Sequence, residues 1–332
     1  MGVAVTGGAG YVGSALVYSL RERGYRVLLV DNLCRGDYSC FRRFKEDPNV
    51  RLHVGDIRDR EDFEKVLKGF GDVEVIFHLA AISGLEACRE HPRETVDVNV
   101  FGTRNVLEAA RRLDIPRVIF ASSAAVYGAP LRLPVDEDHP LRPLNLYGVT
   151  KVAGENLMSL YYLNYGLETV ILRLGNVYGV GLFTRWEAVI PRFVKFGLEG
   201  KPLTIYGDGE SSRDFVHVWD VVEALRLSAE TERKEVGGEV FNVGGETLRI
   251  KELAELIIGE IKRRFGRSVG VTHLPPRPGE TKELCYSMEK IKRSLGFTPK
   301  WNIKRGIKQL IHYYLDENSD KEDIGLHLTQ KE

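Results

Sequence analysis

Apolar and polar positions along the chain follow two rhythms. Residues 2–6 are short, apolar and partly β-branched; glycines then crowd positions 7, 8, 10 and 13, and an apolar helical spacing runs over 14–23. Apolar runs at 26–30, 50–54, 75–79 and 117–121 predict further strands, and the spacing over 59–68, 93–113 and 147–165 predicts helices. Strand and helix alternate, which is the pattern of a parallel sheet covered by helices on both faces. Segments 216–230 and 240–243 read as elements returning to that sheet after an excursion. The expected organisation is interleaved: 1–175 plus 215–245 in the sheet domain, and 176–214 plus 246–314 in a smaller α+β cover. A polar tail over 315–332 follows, with Ile324 and Leu326 as its apolar exceptions.

The glycine turn gives the fold a purpose. Gly8, Gly10 and Gly13 fit G-x-G-x-x-G between a strand and a helix, where missing side chains let backbone N–H groups approach a pyrophosphate. The fold class is therefore α/β, a Rossmann-like doubly wound parallel sheet. The second strand runs into Asp31, at the distance expected for a carboxylate that accepts hydrogen bonds from an adenosine ribose. An acid there disfavours the extra phosphate of NADP, so NAD is the expected cofactor. Asp56, after the third strand, either binds near the adenine or caps the next helix.

Composition changes this picture little. The 332 residues are 43% apolar, ample for a large core, and 47 basic residues balance 47 acidic ones. No global field draws the chain to nucleic acid or to an anionic membrane. Cys34, Cys40, Cys88 and Cys285 have no zinc-like spacing, so no metal is expected and a reducing, cytoplasmic setting is. No apolar run is long enough for a membrane span.

The candidate chemistry centres on Tyr147 and Lys151, four residues apart at the start of a predicted helix and so on one face of it. A neighbouring ammonium favours the ionised phenol, which predicts a Tyr147 pKa drawn down toward neutrality and a general acid and base. Before this helix, Ser122, Ser123, Ala124 and Ala125 end the fifth strand, and a Pro-rich stretch over 130–143 reads as a loop over the site.

Taken together, these residues resemble the extended short-chain dehydrogenase/reductase family, in its branch of nucleotide-sugar epimerases and dehydratases. The resemblance covers residues 1–312. It rests on the glycine turn, Asp31, Asp56-Ile57, His78-Leu79-Ala80-Ala81, Asn99, Ser122 to Gly128 and Tyr147 to Lys151, and further on Arg173 to Gly179, Gly207-Asp208-Gly209, Arg213 to Val218 and Arg277 to Glu280.

The resemblance implies Tyr147 as catalytic base, Lys151 as the holder of the nicotinamide ribose, and Ser123 as the group that orients the sugar hydroxyl. It implies an NAD site of Gly7, Gly10, Tyr11, Val12, Asp31, Asn32, Asp56, Ile57, Leu79, Ala80, Ala81, Asn99, Ser122, Tyr147 and Lys151. Sugar-nucleotide contacts are expected from Ser83, Ser123, Tyr147, Asn176, Arg213 and Arg277, the guanidinium groups gripping phosphate. The 4,6-dehydratases carry an Asp-Glu pair where this chain has Ala124 and Ala125, and two methyl groups move no proton. The implied activity is thus 4-epimerisation of a UDP-hexose, with UDP-glucose and UDP-galactose foremost; the alternatives are a nucleotide-sugar ketoreductase or dehydrogenase, or an epimerase of UDP-N-acetylhexosamine or another nucleotide sugar. A binding protein that senses NAD without turnover is the non-enzymatic alternative.

Two features leave the sugar open: Glu187-Ala188 lacks an Asn common in sugar epimerases, and Leu284 stands where residue size governs N-acetyl groups in the relatives; a third, Ser83 in place of a Lys that some of them have near the cofactor diphosphate, implies weaker cofactor retention. The relatives pair helices equivalent to 93–113 and 147–165, which implies a homodimer.

Overall fold

The structure, a computed structural model, describes residues 1–34, 38–279 and 281–317. Glu280 of the Arg277 motif, and Ile324 and Leu326 of the tail, lie outside the described residues.

Strands β1 (Gly2–Thr6), β2 (Arg26–Asp31), β3 (Val50–Val54), β4 (Val73–His78), β5 (Arg117–Ser123) and β6 (Glu168–Leu174) alternate with helices. β7 (Asn176–Tyr178), β8 (Leu203–Tyr206), β9 (Ser212–His217), β10 (Val240–Val243), β11 (Glu246–Arg249) and β12 (Val271–Leu274) follow. The main sheet is parallel, with seven strands in the order β10-β6-β5-β4-β1-β2-β3. Chain order reverses between β1 and β4, and open α/β sheets bind ligands in the crevice beyond such a point. Two small sheets stand apart from this one, β11-β9-β7 and β12-β8.

β1 and β6 are buried at every residue and β5 nearly so, because helices cover both faces. One core packs the helices Tyr11–Glu22 and Val218–Glu230 against one face of the sheet through Leu16, Leu20, Val221 and Leu225. A second core, with Phe63, Leu107, Phe120 and Met158, lies on the other face. A third, around Ile190, Phe193, Ile257 and Ile307, belongs to the carboxyl half.

Two expectations differ from what is found. The predicted helix over 93–113 runs as Pro92–Val96, a wider π turn over Asp97–Gly102, and Thr103–Arg112. The extra residue in that turn places Asn99 inward, where Oδ1 accepts from Ile82 N at 2.8 Å and Nδ2 donates to Ile82 O at 2.9 Å and to Thr150 Oγ1 at 3.0 Å. Residues 315–317, read as tail, continue the final helix Ile303–Glu317.

Candidate active site

The crevice is floored by the glycine turn. Gly7 has φ of 70°, a left-handed conformation, and a Cβ there would sit 2.7 Å from Ala80 N. A Cβ on Gly13 would lie 2.0 Å from Gly7 O, so only glycine lets the helix Tyr11–Glu22 start this close to β1. The helix has no side-chain cap at Gly10, which leaves its first N–H groups directed at the crevice. Asp31, at the end of β2, accepts from Ala9 N at 3.0 Å and Leu33 N at 2.8 Å, and burial raises its carboxyl despite both bonds. These features form a cradle that fits a dinucleotide: close backbone, oriented donors and one buried acid at the end of β2.

Asn32 and Asp56 form the outer edge, with Asn32 Nδ2 donating to Asp56 Oδ2 at 2.9 Å. Burial opposes ionisation of Asp56, but hydrogen bonds from Arg58 and Asn32 outweigh it and hold the carboxyl at about 2. The cap on the following helix, Arg60–Phe70, is Asp59, whose Oδ1 accepts from Asp62 N at 3.1 Å. Of the two readings for Asp56, the cap therefore falls to its neighbour. Asn99 braces the loop after β4, and its amide is engaged with protein partners.

The catalytic candidates converge where β5 ends. The helix Leu146–Tyr165 begins with Asn145 as its cap, Oδ1 accepting from Gly148 N at 2.9 Å. A Cβ on Gly148 would stand 2.4 Å from Ala125 O, and one on Gly154 would stand 2.6 Å from the Phe120 ring. These two glycines let the helix lie directly on β5. Tyr147 is thereby brought beside Ser123, which pulls its phenol down, while Ser123 Oγ accepts from Ala125 N at 3.2 Å. Lys151, one turn on, is 3% exposed; its Nζ donates to Ala121 O at 2.7 Å and lies 4.6 Å from the Phe120 ring centroid.

The expected lowering of the Tyr147 pKa is not found. Burial pushes the phenol up to about 12, and the groups that pull it back are Ser123 and the Arg185 guanidinium, not Lys151. The ammonium is engaged with the Ala121 carbonyl and sits 5.8 Å from the Tyr147 ring centroid, too loosely placed to offset desolvation. Lys151 itself is drawn down by burial to about 8, with Glu155 acting in the opposite direction.

Around this centre, Tyr11 OH donates to Gly179 O at 2.7 Å and ties the nucleotide turn to the segment after β7. Asn176 Nδ2 donates to Asp214 O at 3.4 Å, and Arg213 Nη1 donates to Ser212 O at 2.9 Å. The Arg277 guanidinium lies 3.7 Å from the centroid of the Tyr206 ring, beside a cleft of about 140 Å³ shared with Ser211, Thr281 and Lys282. Asn145 Nδ2 donates to Gly279 O at 3.2 Å, which connects the Arg277 segment to the catalytic helix. Leu284 is buried with Val126, Tyr127 and Tyr286, and Ala124 packs against this cluster.

Sequence reasoning missed two groups. Arg185, after β7, acts on the phenols of both Tyr11 and Tyr147, and no local motif marks it. Glu155 and Arg173 form a buried pair behind the site, Arg173 Nη2 donating to Glu155 Oε2 at 2.7 Å. The i+4 spacing of Glu155 from Lys151 was its available signal.

The family model described as the NAD dependent epimerase/dehydratase family matches residues 3–244. A Methanocaldococcus jannaschii protein described provisionally as a UDP-glucose 4-epimerase is 39% identical over 319 residues, covering 95% of this chain and 99% of its own. The solved UDP-glucose 4-epimerase of Thermotoga maritima, with UDP-glucose, superimposes with a TM-score of 0.86 at 31% identity, covering 96% of this chain and 99% of that one. The UDP-glucuronic acid 4-epimerase of Bacillus cereus, with UDP-glucuronic acid and NAD, gives 0.87 at 31% identity, covering 96% and 100%. Relatives at similar identity also include dehydratases and a decarboxylase.

Proposed function

Since the chain belongs to the NAD-dependent epimerase/dehydratase family, we propose that it is a nucleotide-sugar 4-epimerase acting on UDP-hexoses, UDP-glucose and UDP-galactose first. The observation that carries this reading is Tyr147 set against Ser123, which pulls its phenol down, with the methyl groups of Ala124 and Ala125 following on the same turn. NAD, when bound, supplies hydride exchange at a sugar carbinol. Ser123 orients the C4 hydroxyl, and Tyr147 takes its proton and returns one. The two residues after Ser123, Ala124 and Ala125, carry methyl groups, which move no proton to drive loss of water. In this reading residues 176–214 and 246–314 cover the sugar nucleotide, and Arg213 and Arg277 grip its diphosphate.

Arg185 favours a second reading, a UDP-hexuronate, because a cation near the reacting phenol suits a sugar carboxylate. Incubation with UDP-galactose, UDP-N-acetylglucosamine and UDP-glucuronate, followed by product chromatography, separates the cases. Inversion of UDP-galactose to UDP-glucose is expected. Conversion of UDP-glucuronate alone favours the second reading, and net accumulation of reduced cofactor or of a dehydrated sugar rejects epimerisation.

We further propose a homodimer through the catalytic helix. Phe101, Val149, Leu160, Leu163 and Tyr165 are all between 46% and 77% exposed, an apolar content that suits a partner surface. Twice the chain mass is expected in solution, and a single species of monomer mass rejects the dimer. Among the described residues no helix is long and apolar enough to cross a membrane.

A further inference from the structure

Behind the catalytic pair lies a closed set of buried polar groups. Glu155 is 4% exposed, and its Oε1 accepts from Ser122 Oγ and from Arg173 Nε at 3.0 Å, while Oε2 accepts from Arg173 Nη2 at 2.7 Å. Arg173 Nη1 donates onward to Tyr127 OH and to Glu137 O, each at 2.9 Å. Both charges are withdrawn from water, and such a pair gives little net stability over a packed apolar one. Its place in the fold suggests another use. Tyr147, Lys151 and Glu155 recur every four residues along one helix face, and Ser122 adjoins Ser123.

We propose that Glu155 is a positioning residue that keeps Lys151 charged over the working pH range, its carboxylate fixed by Arg173 and Ser122 one helical turn from the ammonium. The inference rests on the role proposed above for Tyr147 and Lys151. Of the other groups facing Lys151, the Cys88 thiol acts in the same direction as Glu155 but ranks behind it, and the rest do not. The helix Leu85–Glu90 brings the Cys88 thiol, β5 brings the Phe120 ring and the Ala121 carbonyl, and β4 brings His78, which burial and Lys151 itself hold neutral at about 3. Arg173, from β6, is itself positive and bonds the Glu155 carboxylate, so it cannot be what holds Lys151 charged. Burial lowers Lys151 to about 8 and Glu155 is the first of the groups opposing it, so removing the carboxylate shifts the ammonium further down.

The sign follows directly. If charged Lys151 is required, activity falls as pH rises through its pKa, and Glu155→Gln moves that alkaline limb about one unit toward neutrality. Rates are measured per folded molecule, with the pH dependence of Lys151 acetylation followed in parallel by mass spectrometry. Acetylation needs no sugar substrate, so it reports on Glu155 even if the proposed epimerisation is wrong. Glu155→Asp keeps the charge and is expected to keep both midpoints near the wild-type values. Midpoints shifted by Gln and restored by Asp support the inference. A folded Glu155→Gln protein with unmoved midpoints overturns it. Where the Gln protein does not fold, a folded Asp protein whose midpoints move although the charge is kept overturns it as well.

Discussion

Tyr147→Phe is expected to lower kcat by about 10²–10⁴-fold while leaving NAD retention unchanged. The substitution removes one oxygen from a ring whose packing is otherwise kept, so the loss reports on proton transfer and on the contact with Ser123. Burial pushes the phenol up to about 12, and Ser123 and Arg185 pull it back toward the range in which it takes the hydroxyl proton and returns it. Turnover within a few-fold of wild type would remove Tyr147 from the chemistry. A loss of turnover accompanied by loss of NAD would instead place its role in binding.

Arg173→Leu is expected to cost about 3–5 kcal/mol of folding stability, because it leaves the Glu155 carboxylate buried with Ser122 as its remaining close partner. It also strips a donor from Tyr127 OH and from Glu137 O. The paired change Arg173→Met with Glu155→Leu is expected to recover most of that loss, since both charges leave together. Denaturant unfolding of the three proteins checks this. A single variant within about 1 kcal/mol of wild type would show that Arg173 does not compensate the buried charge.

Much of the frame was legible in the chain because it depends on local signals. Alternating strand and helix patterns, the glycines at 7, 8, 10 and 13, and Asp31 at a strand end each carry their meaning within a few residues. The spacing of Tyr147 and Lys151 likewise placed both on one helix face. What could not be read depends on three-dimensional surroundings. The direction of the Tyr147 shift follows from how deeply its oxygen is buried and from where the Lys151 ammonium points, and neither is encoded in a four-residue spacing. The Glu155 and Arg173 pair joins residues 18 apart on a helix and a strand. Arg185 reaches the site from a loop without regular period, and the residues of the π turn at Asp97–Gly102 carry no local signal that sets them apart from an ordinary helical turn.

The central claim is that one sugar carbon loses and regains the same hydride within the site. UDP-galactose carrying deuterium at C4, followed by NMR of the product, tests it most directly. The account predicts UDP-glucose with the deuterium still on C4 and no net gain of reduced cofactor. Inverted product that has exchanged its label with solvent, or label recovered in released NADH, would contradict it.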